Sequence, residues 1–271
     1  MGKLICIVTV LVCAGSIIVG NIHWNNKISA KAEMVENYKE PAVIEENVMG
    51  AEIPIKEVEE KESDLSTYTQ NLPEQLQKKI QHASTSGKPV HLVIYGSEST
   101  SAKKGAWPEL LRNQLRSTYG EKVIKVTVIS EGDKTSIDVL RSKSYENVSK
   151  QKPDVVLFEP FTLKDNSGKI PINNRLGSIE DMIDSWKTAN KAVTILLQPA
   201  NPIYGATYYP KQINELKEFV KKHNIAFIDH WGNWPNGKDK KIKNYLTPTS
   251  MPNENGNKVW SQYLIDYFVA K

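Results

Sequence analysis

Cysteine is nearly absent from this chain of 271 residues. The two cysteines, Cys6 and Cys13, both lie in one apolar run near the start, so the rest of the chain can form neither a disulfide nor a thiolate metal site. There is also no phosphate-cradling glycine loop and no metal-ligand spacing, so we expect no metal and no cofactor. With 39% hydrophobic and 24% charged residues, the composition excludes collagen-like, fully disordered and polytopic membrane proteins.

Arginine is scarce too, with 4 against 31 lysines, and the charge is unevenly distributed. The net charge of +4 divides into +3 for residues 1–32, −8 for residues 33–66 and +9 for the remainder. The chain is therefore predicted to consist of an apolar segment, an acidic spacer and a basic body.

The apolar segment is predicted over residues 1–24. Its uncharged run covers residues 4–20 and follows Lys3. This length is at the lower limit of what a membrane-spanning helix needs. A cleaved signal is the alternative, although the nearest small-x-small site, Ala30 to Ala32, lies well beyond the run; a buried helix of a cytosolic protein is the third. The position of Lys3 predicts a cytoplasmic N-terminus. We therefore expect a single-pass membrane protein with an extracellular body, or a secreted one.

Residues 25–88 are predicted to be an acidic, largely disordered stalk, because few of them are aromatic and like charges keep such a chain extended. One helix is predicted inside it, over Asp64 to Gln81. Leu72, Leu76 and Ile80 stand at helical spacing there.

Residues 89–271 alternate apolar strands with amphipathic helices. Five short apolar runs are predicted as strands: residues 90–95, 123–129, 154–158, 192–197 and 225–228. This alternation predicts an α/β fold, a three-layer α/β/α sandwich with a central five-stranded parallel sheet of flavodoxin-like type. In such sheets, binding and catalytic groups gather at the carboxyl ends of the strands.

Five short motifs occur in order along this body, three after strand ends and two at the starts of helices. They are Gly96–Thr100, Gly105–Leu111, Gly132–Ser136, Lys164–Asn166 and Pro252–Gly256. In order and spacing they resemble the SGNH/GDSL hydrolase family across residues 89–271. The resemblance implies that family's fold and its acyl-transfer chemistry, in which a serine attacks a carbonyl, a histidine takes its proton and an aspartate orients the histidine.

The resemblance also assigns this chain's residues to the family's catalytic positions. Glu98 stands at the position of the serine, Met251 at that of the histidine and Pro248 at that of the aspartate. Of the oxyanion-binding groups, Gly132 is retained and Lys164 replaces an asparagine, with Asn166 close behind. The usual triad is absent, so the resemblance leaves open whether the chain is an enzyme.

Two rebuilt sites remain possible on the sequence. His230, beside Asp229 at the end of the fifth strand, could act as a base for Ser97 or Ser99. Alternatively, Glu98 and Asp165 could form a carboxylate pair of the kind that glycosidases use.

Aromatic and amide side chains are frequent in the loops at this edge. Trp107, Tyr204, Trp231 and Trp234 are the aromatics that we expect to stack on sugar rings, although several loop aromatics could instead fill the core. Together with the basic body, they predict cell-envelope polysaccharide or an acylated glycan as the partner. A nucleic-acid role is disfavoured, since the body shows no known binding motif.

Two functions follow as expectations. The first is a membrane-anchored, catalytically degenerate SGNH-like protein that binds or helps remodel envelope polysaccharide. The alternative is an active carbohydrate esterase, or deacylase, of envelope glycans that uses a rebuilt Ser/His site.

Overall fold

The computed structural model describes residues 65–270. The predicted membrane segment and most of the predicted stalk lie outside these residues. Within residues 65–270, no helix combines the length and the hydrophobicity needed to cross a membrane.

The described residues form a five-stranded, fully parallel sheet. Its strands are β1 (Val90–Gly96), β2 (Ile124–Ser130), β3 (Val155–Phe158), β4 (Thr194–Leu197) and β5 (Ala226–Phe227). They lie in the order β2-β1-β3-β4-β5, which makes β2 and β5 the edge strands. The register places Gly96, the last residue of β1, opposite Ser130, the last residue of β2. The predicted parallel α/β sheet is confirmed.

Helices cover both faces of the sheet. In chain order they are α1 (Ser66–Thr69), α2 (Glu74–Ser86), α3 (Trp107–Tyr119), α4 (Ser136–Ser142), α5 (Glu146–Lys150), α6 (Thr162–Ser167), α7 (Ile172–Ala189), α8 (Tyr209–Lys222) and α9 (Glu254–Phe268), with 3-10 turns at His230–Asn233 and Lys240–Tyr245. Side chains of β1 alternate between the faces, as the two-residue period of a strand requires. Leu92 and Ile94 pack with α2, α3 and α9, whereas Val93 and Tyr95 pack with α7.

Local sequence signals fix where the helices near the strand ends begin. Pro108 occupies the first turn of α3, where a missing N–H costs nothing. Asn253 caps α9, its side chain accepting a hydrogen bond from the Gly256 N–H. Gly256 must lack a side chain, because a Cβ there would overlap the carbonyl of Tyr245. These starts set the positions of the loops in front of α3 and α9.

The predicted helix over residues 64–81 is divided in the structure into α1 and α2, and α2 extends to Ser86. Leu76 and Ile80 belong to the same hydrophobic cluster as Leu92 of β1. Lys79 Nζ also donates hydrogen bonds to the carbonyls of Asp154 and Ala192, in front of β3 and β4. The folded unit thus includes a helix that composition assigned to the stalk, because its apolar spacing creates a face that packs against the sheet.

Replacing Ile80, which is 0% exposed, tests this attachment. We expect Ile80→Ala to lower the free energy of unfolding by about 2–5 kcal/mol, the usual effect of a large cavity in a core. The measurement is equilibrium denaturation in urea. Gln81→Ala, at an exposed position of the same helix, should leave the midpoint nearly unchanged. Equal midpoints for the two variants would show that α2 is not part of the cooperative unit.

Candidate functional site

A cleft lies at the carboxyl edge of the sheet, where the loop after β1 faces the loop before α9. Its volume is about 640 Å³. The lining residues, called the main cleft below, are Glu98, Ser99, Ser101, Lys103, Lys104, Gly105, Ala106, Leu110, Met251, Pro252, Asn253, Glu254, Asn257 and Lys258. Strand ends converge here because all five strands run in the same direction.

The loop after β1 is held from below by Glu159, the residue directly after β3. Its Oε2 accepts hydrogen bonds from the backbone N–H of Ser97 (2.8 Å), the Ser97 hydroxyl (2.8 Å) and the Thr100 hydroxyl (2.9 Å). Gly96 permits this close approach, since a Cβ there would lie 2.6 Å from Oε2 of Glu159. The carboxyl of Glu159 therefore fixes the path of the chain between β1 and the cleft.

The side chain of Glu159 is fully buried. Its other oxygen, Oε1, has no hydrogen-bond partner within residues 65–270. Burial raises the pKa of Glu159 to about 8, although the hydrogen bonds from Ser97 and Thr100 act in the opposite direction. Near neutral pH, Glu159 is thus mostly protonated, and in that form it makes a poor base for the Ser97 hydroxyl.

Ser99, the second predicted serine, is also committed to a partner. Its hydroxyl donates to Asn201 Oδ1 at 2.9 Å and lies 3.6 Å from the sulfur of Met251. Its carbonyl accepts from the indole N–H of Trp107. Ser97 and Ser99 are both almost fully buried, so the loop presents Glu98 between them to solvent.

Glu98 forms an ion pair with Lys164, with Oε2 and Nζ separated by 2.6 Å. The pair crosses from the loop after β1 to α6 and lines a second cleft of about 520 Å³. Gly132, whose φ of 67° lies in the left-handed region that favours glycine, lines it as well, and Met251 lies on both clefts. The structure therefore brings together Glu98, Gly132, Lys164 and Met251 around this second cleft.

The other predicted polar residues on α6 lie apart from this group. Asn166 is half-buried and lines neither cleft. Asp165 is buried, and its carboxylate accepts a hydrogen bond from the backbone N–H of Ser136 at the start of α4. The structure therefore does not pair Asp165 with Glu98, whose carboxylate binds Lys164 instead.

His230 is buried, and its ring makes only contacts within the protein core. Its Nε2 bonds the carbonyl of Pro199 (2.8 Å), its Nδ1 accepts from the Trp234 indole N–H (2.9 Å), and its ring stacks on Trp260 at 4.2 Å. Burial lowers the pKa of His230 to about 3. Both ring nitrogens are occupied, so the structure does not bring His230 to the hydroxyl of Ser97, which binds Glu159 as described above.

The four aromatics expected to face a ligand divide into two pairs. Trp107 and Trp234 instead belong to the core, where Trp107 stacks on Trp260 at 4.7 Å. Trp231 is half-buried beside a smaller cleft of about 290 Å³, and Tyr204 is 37% exposed beneath Lys243 Nζ. The indole rings of Trp107 and Trp234 are large enough to fill the space between helices. The position of a tryptophan in the sequence does not by itself reveal such burial.

Two site residues, Glu159 and Asn201, have structural roles that sequence reasoning missed. Both follow a buried strand and are fully buried with hydrogen-bonded side chains. The sequence does contain a signal for Glu159, namely a single carboxylate directly after the apolar run of β3. A carboxyl that is buried at such a position requires hydrogen-bond partners. Among the described residues, no group of three or more His, Cys, Asp or Glu side chains could hold a metal ion.

No protein-family model and no curated protein matches the sequence. Solved structures do match. A carbohydrate esterase of family 3 from Talaromyces cellulolyticus shares 17% identity, with a TM-score of 0.55 over 65% of this chain and 94% of that one. An acetylxylan esterase from Geobacillus stearothermophilus shares 15%, with a TM-score of 0.54 over 66% and 94%. A GDSL-like lipase from Bacteroides thetaiotaomicron shares 14%, with a TM-score of 0.51 over 70% and 96%.

The fold is SGNH/GDSL hydrolase-like. The matched structures are covered almost entirely, so the likeness extends over the whole of their domain. In this SGNH-like domain the group formed by Glu98, Gly132, Lys164 and Met251 lies at the carboxyl ends of β1, β2 and β3 and on the loop before α9.

The buried carboxyl of Glu159 predicts a pH-dependent stability. Its pKa is raised in the folded state, so its favourable contribution is complete below about pH 4.5 and is lost as the pH rises through about 8. Glu159→Gln keeps the shape but cannot ionise. From pH 4.5 to 8, the wild type should therefore lose stability relative to this variant, by on the order of a few kcal/mol.

Urea denaturation at a series of pH values measures this difference. Comparison with Glu159→Gln removes the contributions of His230 and other titrating groups, which both proteins share. Glu218→Gln, at an exposed glutamate on α8, is the matched control and should follow the wild type. Parallel stability curves for wild type and Glu159→Gln would contradict the prediction.

Proposed function

We propose that this protein binds cell-envelope glycan in the main cleft and does not use serine-esterase chemistry. The observation that carries this proposal is that neither of the two predicted serines, Ser97 and Ser99, has a free base. Ser97 donates to a buried carboxyl and Ser99 donates to an amide oxygen. An amide cannot take a proton from serine, and the carboxyl is mostly protonated at neutral pH.

The Glu98–Lys164 ion pair supports the same proposal. An esterase needs hydrogen-bond donors and no negative charge where the oxyanion develops. Here a carboxylate stands at the position of the nucleophile, and its charge would oppose that of the oxyanion. Met251, at the position of the catalytic histidine, offers a thioether, which is only a weak acceptor and takes up no proton at physiological pH.

A glycan ligand is supported by the cleft and by the structural relatives. Two of the matched structures are named as a carbohydrate esterase and an acetylxylan esterase. In this chain the cleft is open and carries lysines on its wall, namely Lys103, Lys104 and Lys258. Combined with the basic body of the sequence, these cations favour an anionic polysaccharide.

We also propose that residues 4–20 anchor the protein in the membrane and leave the SGNH-like domain outside the cell. The support is the uncharged run after Lys3. Protease treatment of intact cells tests the orientation. Digestion of the domain only after lysis would contradict it, and release of the domain into the medium would favour the secreted alternative.

An active esterase remains the second candidate, and one contact favours it. The Ser97 hydroxyl lies 2.8 Å from Glu159, so an ionised Glu159 could accept its proton. Such a dyad would act only above about pH 8 and would need the loop to open, because Ser97 is 1% exposed.

Turnover and binding assays on the full-length protein separate the two candidates. We expect no turnover of a chromogenic acetyl ester between pH 6 and 10, and no change in Ser97→Ala, Ser99→Ala or His230→Ala. Turnover that rises through about pH 8 and disappears in Ser97→Ala would establish the esterase and contradict the binding role.

Binding of an oligogalacturonide, measured by calorimetry, tests the glycan proposal. The double variant Lys103→Gln/Lys104→Gln should weaken it about tenfold, because it removes two cations from the wall of the main cleft. Lys191→Gln, at an exposed lysine far along the chain in the turn before β4, should bind as the wild type does. Equal affinity of all three proteins would contradict a role for this cleft.

A further inference from the structure

A basic groove lies along α3, between this helix and the start of β2. It has a volume of about 480 Å³ and is lined by Arg112, Asn113 and Arg116 of α3, by Glu121, and by the first residues of edge strand β2, including Lys125. Two of the four arginines in the chain are therefore in this one groove. None of these residues belongs to the catalytic positions that the SGNH/GDSL resemblance assigns.

The groove and the main cleft are adjacent on the same helix. Leu110 lines the main cleft and Asn113 lines the groove. Residues three apart on a helix are neighbours on its surface, about 5–6 Å apart at Cβ. One turn of α3 therefore separates the two cavities, and a linear ligand could run from one into the other along the helix.

Unpaired positive charge is present at both ends of this path. Two acids line the main cleft, and both are paired. Glu254 pairs with Lys258 in the cleft, whereas Glu98 pairs with Lys164, which lies outside it. Lys103 and Lys104 have no carboxylate within 4 Å among residues 65–270.

In the groove, Arg116 pairs with Glu121 at 3.2 Å. Arg112 and Lys125 have no carboxylate partner within the described part of the chain. One acid, Glu109, lies on the same face of α3, and its Oε2 accepts a hydrogen bond from the Gly105 N–H.

The chemistry of the groove favours a carboxylate on a sugar. A guanidinium presents two parallel N–H groups that match the two oxygens of a carboxylate, and Arg112 is free to do so. Asn113 is exposed, and within residues 65–270 its side chain has no assigned hydrogen bond, so its amide can serve a sugar hydroxyl. The 13 residues of α3 span about 20 Å, which is enough for several sugar rings.

We propose that this arginine groove is a second binding site for the same glycan, and that the ligand is a linear polyuronate that extends from the main cleft along α3. The inference rests on the proposed glycan-binding function and deepens it. It assigns the substrate class, a polymer with one carboxylate per sugar, and it predicts that affinity depends on the length of the chain.

Binding of oligogalacturonides of increasing length to the full-length protein tests this site. A trisaccharide should occupy the main cleft alone, whereas a decasaccharide should reach the groove and bind about tenfold more tightly or better. Raising the salt concentration should reduce this gain, because the contacts are between solvent-accessible charges.

In the double variant Arg112→Gln/Arg116→Gln, the decasaccharide should bind no more tightly than the trisaccharide. The affinity for the trisaccharide should remain that of the wild type. Gln is a good helix former, so α3 should persist, and circular dichroism checks this. The matched control is Arg141→Gln, at an exposed arginine on α4, which should keep the full gain.

Three outcomes would overturn the inference. One is equal affinity of the trisaccharide and the decasaccharide, and another is an unchanged gain in the double variant. The third is an equal gain with poly-glutamate of similar length, which would show that charge alone and not a sugar is recognised. If the trisaccharide itself does not bind, the proposed function fails, which is a distinct result.

Discussion

The buried carboxyl of Glu159 is the contact on which the whole candidate site depends. It follows β3 directly and accepts three hydrogen bonds from the loop after β1, so it ties together two neighbouring strand ends. A buried carboxyl is unfavourable unless it has partners. Those partners, Ser97 and Thr100, are consequently fixed, and Glu98 between them is left to face the clefts.

This arrangement decides which polar groups of the loop after β1 reach the clefts. A serine hydrolase needs an accessible hydroxyl with a base beside it. In this chain the hydroxyls of Ser97 and Ser99 donate hydrogen bonds inside the protein, whereas an ion pair and a thioether line the second cleft. A surface of this kind is suited to recognise charge. In our proposal, the arginine groove along α3 extends the same recognition beyond the strand ends.

Much of the fold was predictable because strand and helix periods are local properties. The apolar run of β1 indicated its strand correctly, and Leu76 and Ile80 lie in α2 as their spacing predicts, whereas Leu72 lies in the turn between α1 and α2. The packing of α2 on the sheet was not predictable from composition, since an acidic segment precedes it. Trp107 and Trp234 were expected to face a ligand because they lie at or near predicted loops. The sequence does not tell whether an aromatic side chain in such a place points into the core.

The sequence by itself determined the parallel α/β sheet and the resemblance to SGNH hydrolases, since both depend on order and spacing along the chain. Only the tertiary structure decided which polar groups meet. It placed His230 between Pro199 and Trp234, gave Ser99 to Asn201 and paired Glu98 with Lys164. These partners are far apart in sequence or lie on different elements, and whether a side chain is base, ion-pair member or core residue depends on its burial and nearest neighbours in space.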